Sequence, residues 1–491
     1  MKQLSFILLI FILFSCCNDE EKTIKNRKIE NVSSSIISNQ KNIALFGSID
    51  LKIILDKSKY AQIPLYGPFA ESVLSDYLSH INLKKPVYYA LEGPFDENYF
   101  SMDIKNEQSS TKFIFAEIKN NKALLAFMQK QGFEKRSLKK EQINYFFKSK
   151  LMFAVQGNIL IAIIGCNEDE AKKKAISAFK NASKKENSQI TKCLNKKGDL
   201  LVAVNLKELY NSSNTELNSL ADSTKKSIEE MAENSFHVSI VNFQKGSMKI
   251  EGTNYFSPAL TKELKFINSK GRKSIISQLG SGKPKAGIDL NMDFKELSKL
   301  SNKYFKQYNN ILNQTVVGMF LPNTGLSGIL DDILNGRISG LVYPEKNEFG
   351  GITPEFNLYV GLGKKGKKEL QGIGNLFLSE MGDLSINNNS ITLFTSNKYK
   401  PNKGDLIIHD EFVNFGNKPI SCFVDLKDVD TREFEEMTYG SIKKIKRIYF
   451  EYDLEGGYLL VTTKDPDKNF LESLIDVGIE FVNKEFLNSI F

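Results

Sequence analysis

Apolar and polar positions along this chain recur in one short order: an apolar residue, Asp or Asn, Leu or Phe, then Lys. Four segments carry it: Ile49-Asp50-Leu51-Lys52, Val204-Asn205-Leu206-Lys207, Met292-Asp293-Phe294-Lys295 and Val424-Asp425-Leu426-Lys427. An apolar stretch lies just before or within each one: Ile43 to Phe46, Leu200 to Val204, Ala286 to Leu290 and Ile420 to Val424. This pattern predicts a strand that ends at Asp or Asn, whose side chain accepts backbone N–H bonds and caps a following helix. Ile54, Leu55, Leu209, Leu297 and Val429 are the positions that would turn inward. Asn205 stands where the other three copies have Asp. A cap tolerates that exchange and acid–base chemistry does not, so the phrase reads as a structural repeat.

Similar elements follow each phrase. After the first come helices around Phe69 to Ile81 and Asn121 to Gln131. A hairpin of Leu151 to Val155 with Ile159 to Ile164 turns at Gly157-Asn158, and Glu168 to Ala182 closes the unit as a helix. The second unit has a helix near Ser219 to Ala232 and strands Phe236 to Phe243 and Ser247 to Asn254. The third has a helix Phe294 to Leu312, strands Arg337 to Tyr343 and Phe356 to Leu362, and a helix Lys368 to Met381. The fourth has strands Arg447 to Leu454 and Tyr458 to Thr463, with a helix starting at Asp465-Pro466, a capping residue with proline at the first helical position. Repeated β-α-β-β-α units predict an α+β fold, with antiparallel sheets and helices packed on one face. The spacing of the phrases pairs the units into two halves, 41–270 and 284–491, on either side of a Gly- and Lys-rich segment from Ser269 to Pro284.

The N-terminus has a different pattern. One lysine, Lys2, precedes an apolar run from Leu4 to Phe14 broken only by Ser5, and Ser15-Cys16 follows. That is a secretory signal, too short for a stable transmembrane span. Leu13-Phe14-Ser15-Cys16 resembles the lipobox of bacterial lipoproteins, with Phe14 a tolerated departure. The resemblance implies a signal peptide over 1–15, removed by cleavage, a diacylglyceryl group on the Cys16 thiol and an acylated Cys16 amine. Residues 16–40 then read as the lipidated cysteine and a polar tether, rich in Lys, Asn, Glu and Ser. The membrane, reached through lipid on Cys16, is the one partner this reading names. The run Asn18-Asp19-Glu20-Glu21 looks like the signal that exports Bacteroidetes lipoproteins to the outer face of the outer membrane. A solvated linker facing the periplasm is the alternative.

The lipobox, the tether, the Ile-Asp-Leu-Lys opening and the hairpin Asn242-Phe243-Gln244-Lys245-Gly246 together resemble a large group of Bacteroidetes lipoproteins known only as a domain of unknown function. That likeness implies fold and location and supplies no catalytic residue.

Composition narrows the partners. Lys and Arg (66) are interspersed with Asp and Glu (58) along the chain, so the net charge of +8 marks no nucleic-acid face. The chain has no Trp, the flat platform common in carbohydrate clefts, although its 18 Tyr can supply one. Beyond Cys16 there are Cys17, Cys166, Cys193 and Cys422, with no CxxC spacing and no neighbouring His. Cys166 and Cys193 could pair in an oxidising compartment or remain as buried thiols.

Each remaining motif has a plainer reading. Gly361-Leu362-Gly363-Lys364-Lys365-Gly366 matches G-x-G-x-x-G, yet its strand reads as half of an antiparallel hairpin, which makes it a basic turn. Gly280-Ser281-Gly282-Lys283-Pro284 lacks the first glycine of a phosphate loop, with Ser277 in its place, and ends in Pro where Ser or Thr is needed. Asp465, Asp467, Asn469 and Asp476 echo a calcium loop, but Phe470 stands at the glycine position. His80, His237 and His409 have no nucleophile or acid in a recognisable arrangement, and Asp410 beside His409 would point to the opposite face of a strand. Tyr88 and Tyr89 also point to opposite faces if their stretch is a strand, with core packing as the default. The sequence thus assigns no catalytic residue, cofactor, metal or nucleic acid. It points to an envelope lipoprotein that serves as a binding or scaffold module at the cell surface. A hydrolase acting on envelope polymers and a subunit of an envelope assembly are the alternatives.

Overall fold

The computed structural model describes residues 28–39, 42–63, 67–68, 71, 78–93, 110–181, 188–212, 222–267, 273–276, 278–304, 332–346, 352–373, 382–429 and 441–478. The chain divides into two compact units. Unit 1 comprises residues 1–219, 232–245 and 467–491, and unit 2 comprises 220–231 and 246–466. The fold is α+β, and its named strands pair antiparallel throughout.

Unit 1 carries nine strands among the described residues: β1 (Ile43–Ile49), β2 (Val87–Glu92), β3 (Lys112–Glu117), β4 (Lys135–Leu138), β5 (Ile143–Lys148), β6 (Leu151–Gln156), β7 (Ile159–Ile164), β8 (Leu200–Asn205) and β9 (Phe236–Gln244). They lie in the order β9-β8-β1-β2-β3-β7-β6-β5-β4. Its helices are α1 (Ile29–Asn39), α2 (Leu51–Ser58), α3 (Asn121–Lys130), α4 (Glu168–Asn181), α5 (Ser188–Leu194) and α6 (Leu206–Ser212). A further helix covers 470–478.

Unit 2 includes most of α7 (Asp222–Ala232), then α8 (Pro258–Glu263), α9 (Phe294–Tyr304) and α10 (Gly366–Ile373). Its strands are β10 (Ser247–Tyr255), β11 (Ala286–Asn291), β12 (Leu334–Lys346), β13 (Ile352–Leu362), β14 (Asp383–Ile386), β15 (Ser390–Phe394), β16 (Ile420–Asp425), β17 (Ile445–Tyr452) and β18 (Gly457–Thr463). They run β10-β18-β17-β16-β11-β12-β13-β15-β14. The run β9-β8-β1-β2-β3 of unit 1 therefore recurs as β17-β16-β11-β12-β13. In both units the two phrase-bearing strands are neighbours, β1 beside β8 and β11 beside β16.

In all four copies the Asp or Asn side chain accepts a backbone N–H two or three residues on, and in three of them a helix follows. Asp50 Oδ1 accepts from the Ile53 N–H at 3.0 Å, Asn205 Oδ1 from Lys207 at 3.2 Å, Asp293 Oδ1 from Glu296 at 3.1 Å and Asp425 Oδ1 from Lys427 at 3.0 Å. The first three open α2, α6 and α9. After Asp425 the chain makes a turn, closed by Val429 N–H donating to Leu426 O, and 430–440 lie outside the described residues. Of the helix expected over Phe69 to Ile81, the stretches 69–70 and 72–77 also lie outside them.

Four expectations need correction. The polar tether was read as running to residue 40, but its last part is α1, with Ile29 and Val32 fully buried and Ile36 and Ile37 nearly so. Serines interrupt its apolar pattern, and the fold buries them too: Ser33 Oγ donates to Ile29 O, and Ser34 Oγ meets Thr191 Oγ1 of α5 at 3.1 Å. The helix packs on β2, β3, α4 and α5.

Helices were expected on one face of the sheet, yet in unit 1 they cover both. Ile114 and Ala116 of β3 join a core with Leu51 of α2 and Leu124, Leu125 and Met128 of α3. Phe113 and Phe115 point the other way, toward α1 and α4, with Lys174 Nζ 5.4 Å from the centre of the Phe113 ring. All six residues of β7 are buried as a consequence, which is the signature of a strand covered on both sides.

The closing helix starts after Asn469, not at Asp465-Pro466. Asn469 Oδ1 accepts from the Leu471 N–H at 3.0 Å. The fourth correction concerns the division of the chain, which does not fall at 271–283. β10 is hydrogen-bonded along β18, from Ser247 opposite Thr462 to Glu251 opposite Tyr458, so it belongs to unit 2. Residues 467–478 belong to unit 1, where Phe470 stacks on Phe243 and Glu472 pairs with Lys59 at 3.1 Å.

In unit 2 one sheet face is closed by the segment 396–417. Phe412 stacks on Phe423 with ring centres 4.7 Å apart, Phe415 meets Phe423 edge-on at 4.8 Å, and Tyr399 stacks on Tyr343 at 4.0 Å. A charged cluster is buried on this same face. Arg337 Nη2 lies 2.7 Å from Asp289 Oδ1, Ser339 Oγ donates to the same oxygen at 2.5 Å, and Arg337 Nε donates to Ser339 Oγ at 3.0 Å.

Candidate functional site

Two surface features stand out, one in each unit. In unit 1 a groove of about 590 Å³ opens beside α2 and the turn Tyr60–Gln62. Its position follows from local rules. α2 stops at Lys59, which adopts the left-handed conformation at φ 47°, and the chain turns back so that the Tyr60 side chain lies against the core. The opposite wall, 78–84, is stitched to the end of β3: Asn82 N–H donates to Glu117 O and Lys119 N–H donates to His80 O. Leu55, Leu78 and Leu83 form an apolar floor continuous with the unit 1 core.

The charges are unevenly placed. Among the described residues, Lys52, Lys59, Lys84 and Lys119 line the groove together with the carboxylates of Asp56 and Glu71. Lys59 is held by Glu472, and Lys119 Nζ donates to Ser79 O at 3.1 Å. Burial, with Glu71 and Asp56 nearby, pushes the Tyr60 phenol up, so it stays protonated and can donate. The groove thus combines a flat ring, an aliphatic floor, carboxylate acceptors and lysine ammonium groups.

The second feature is the face of the unit 2 sheet opposite Phe412 and Phe415. Ile288, Val342, Phe356, Leu358, Cys422 and Val424 line a shallow apolar depression of about 410 Å³. Ile288 is 44% exposed and Val342 37%. These strands bury alternate residues, as β16 does, but their outward positions are apolar as well.

Lys52 and Leu55, which belong to or follow the first phrase, line the groove, and Cys422 and Val424 line the depression; the other residues singled out in the sequence fall elsewhere. Cys16, the single assigned site, lies outside the described residues. Gly363 N–H donates to Ile333 O, and a Cβ there would sit 2.6 Å from Asp332 O, so that turn has glycine because two backbones meet. Ser281 and Gly282 donate to Tyr399 O and Asp405 O, tying 280–284 to the segment that covers the unit 2 core. Lys468 pairs with Asp476, and Asn469 serves as a cap. His237 Nε2 lies 3.0 Å from Ser239 Oγ, and His409 Nδ1 accepts from the Glu411 N–H, capping a short turn. Tyr88 is buried, and Tyr89 donates to Leu201 O at 2.8 Å from the opposite face. None of these residues lines the groove in unit 1. No motif signalled the groove, because its residues come from four separated stretches of sequence.

Cys166, Cys193 and Cys422 are free thiols. Burial pushes the Cys166 thiol up to about 11 against the opposing effect of Lys174, and burial also raises Cys422. Thiolate is the reactive form. Cys166, with its raised thiol, and Cys193, with no exposed surface, should resist a maleimide at neutral pH in the folded protein and become fully labelled in denaturant, as located by peptide mass spectrometry.

No family model, curated protein or solved structure matches this chain.

Proposed function

We propose that the protein is a lipid-anchored component of a bacterial envelope, held at the outer membrane through Cys16 and facing outward, and that it acts as a non-enzymatic binding module. The observation that carries the anchor is the lipobox Leu13-Phe14-Ser15-Cys16 behind its short apolar run. The acidic residues Asp19, Glu20 and Glu21 support the outward-facing placement, as does the likeness to Bacteroidetes lipoproteins of unknown function. The binding role draws support from the groove in unit 1 and the apolar sheet face in unit 2.

The experiment is surface labelling of intact cells, by antibody or protease shaving, beside a Cys16→Ala variant. Labelling of the wild type should be strong, and in the variant it should fall to background or move to the medium. One acyl chain gives only marginal membrane binding, so a protein stripped of its lipid does not stay attached. Protection in intact cells that is lost only on envelope rupture would overturn the outward placement. Retention of the Cys16→Ala protein on the membrane would overturn the anchor.

A further inference from the structure

We infer that the groove in unit 1 binds an acidic oligosaccharide, one bearing carboxylate or sulfate groups. This rests on the reading of the chain as a binding module and names the class of its ligand.

The argument starts from what each wall can offer. Lys52, Lys59, Lys84 and Lys119 line the groove, and a lysine ammonium forms charge-assisted bonds to carboxylate or sulfate oxygens; that of Lys59 is shared with Glu472. Asp56 and Glu71 are also present, and they call for a ligand that offers hydroxyl donors beside its anionic groups. They can accept from neutral hydroxyl groups, as a sugar ring presents beside its acid. Tyr60 is part-buried against the core, so its ring is held in place, and its protonated hydroxyl remains a donor. In a chain without Trp, it supplies the flat surface on which the C–H face of a sugar packs. Leu55, Leu78 and Leu83 extend that apolar surface, and Leu78 is only 7% exposed.

Other anions fit less well. A nucleic acid or an acidic peptide presents fewer hydroxyl groups beside its anionic groups than a sugar acid does. A neutral sugar would offer no anionic partner to Lys52 and Lys84, which line the groove. At about 590 Å³ the groove falls within the range of ordinary ligand sites.

The test measures binding of the purified full chain to oligogalacturonate and chondroitin sulfate oligosaccharides. Dextran oligosaccharides and poly-glutamate of matched charge serve as the neutral and the non-sugar controls. At least one acidic oligosaccharide should bind, more tightly than either control, and should weaken as salt is raised. Lys84→Ala combined with Lys119→Ala should weaken binding by at least roughly tenfold, since each lysine supplies a charge-assisted bond. Tyr60→Leu should weaken it as well, whereas Lys226→Ala in unit 2 should leave it unchanged. Both groove variants are checked for wild-type circular dichroism.

Equal binding of poly-glutamate would reduce the groove to a general charge effect, and equal binding of dextran would remove the role of the lysines. Failure of every acidic oligosaccharide to bind, or insensitivity to the groove variants, would overturn the inference. Because the purified protein is used, failure here leaves the membrane anchor standing, and loss of surface labelling leaves the ligand class standing.

Discussion

Replacing Arg337 with methionine is expected to destabilise unit 2 by about 3–5 kcal/mol, the cost of leaving a buried charge without its partner. Arg337 is 4% exposed and Asp289 is fully buried, so water cannot solvate the carboxylate left behind. Desolvation already raises the Asp289 carboxyl from its ordinary value, with Ser339 and Arg337 opposing that rise. With Arg337 gone, only the Ser339 hydroxyl would oppose it. The double variant Asp289→Leu with Arg337→Met should recover most of the loss, because removing both charges removes the unpaired one. Hydrogen exchange on peptides of β11, β12 and β16 measures this directly, since two compact units need not unfold in one step. A loss below about 1 kcal/mol for Arg337→Met alone would show that the pair is solvated in a way its burial does not suggest.

The second large effect lies in a segment that reads as a tether. Val32→Asp should destabilise unit 1 by about 3–5 kcal/mol, since it places a carboxylate without a partner in a site with no exposure. Asn31→Ala, one residue away on the exposed side of α1, should change stability by no more than about 0.5 kcal/mol. Hydrogen exchange in β2 and β3, on which α1 packs, measures the difference. If both variants behaved alike and mildly, α1 would be a passenger on the sheet and not part of its core.

These two predictions mark where local pattern stops being sufficient. The phrase ending in Leu-Lys or Phe-Lys was legible because capping is a contact across two or three residues; that contact formed in all four copies, with a helix after three of them. The hairpin turning at Gly157-Asn158 was legible for the same reason, because period and turn chemistry act over a few residues. α1 was missed because Ser33, Ser34 and Ser35 look like solvated positions. Only contact with α4, α5 and the sheet provides a place to bury them. The two-sided covering of unit 1 left one readable sign, the unbroken apolar run Ile159 to Ile164, whose implication of burial on both faces outweighs the alternation seen elsewhere.

By itself, then, the sequence determined the α+β class, the recurring cap and the strands that carry it. It also carried the run Leu13-Phe14-Ser15-Cys16, whose likeness to a lipobox underlies the proposed anchor. The tertiary structure decided which strands are neighbours, that β10 completes unit 2 and residues 467–478 complete unit 1, and that Lys52, Tyr60, Leu83 and Lys119 line one groove. The physical reason is range. Caps, turns and periodicity are fixed by residues a few positions apart, whereas strand order, two-sided burial and convergent side chains depend on contacts between residues tens to hundreds of positions apart.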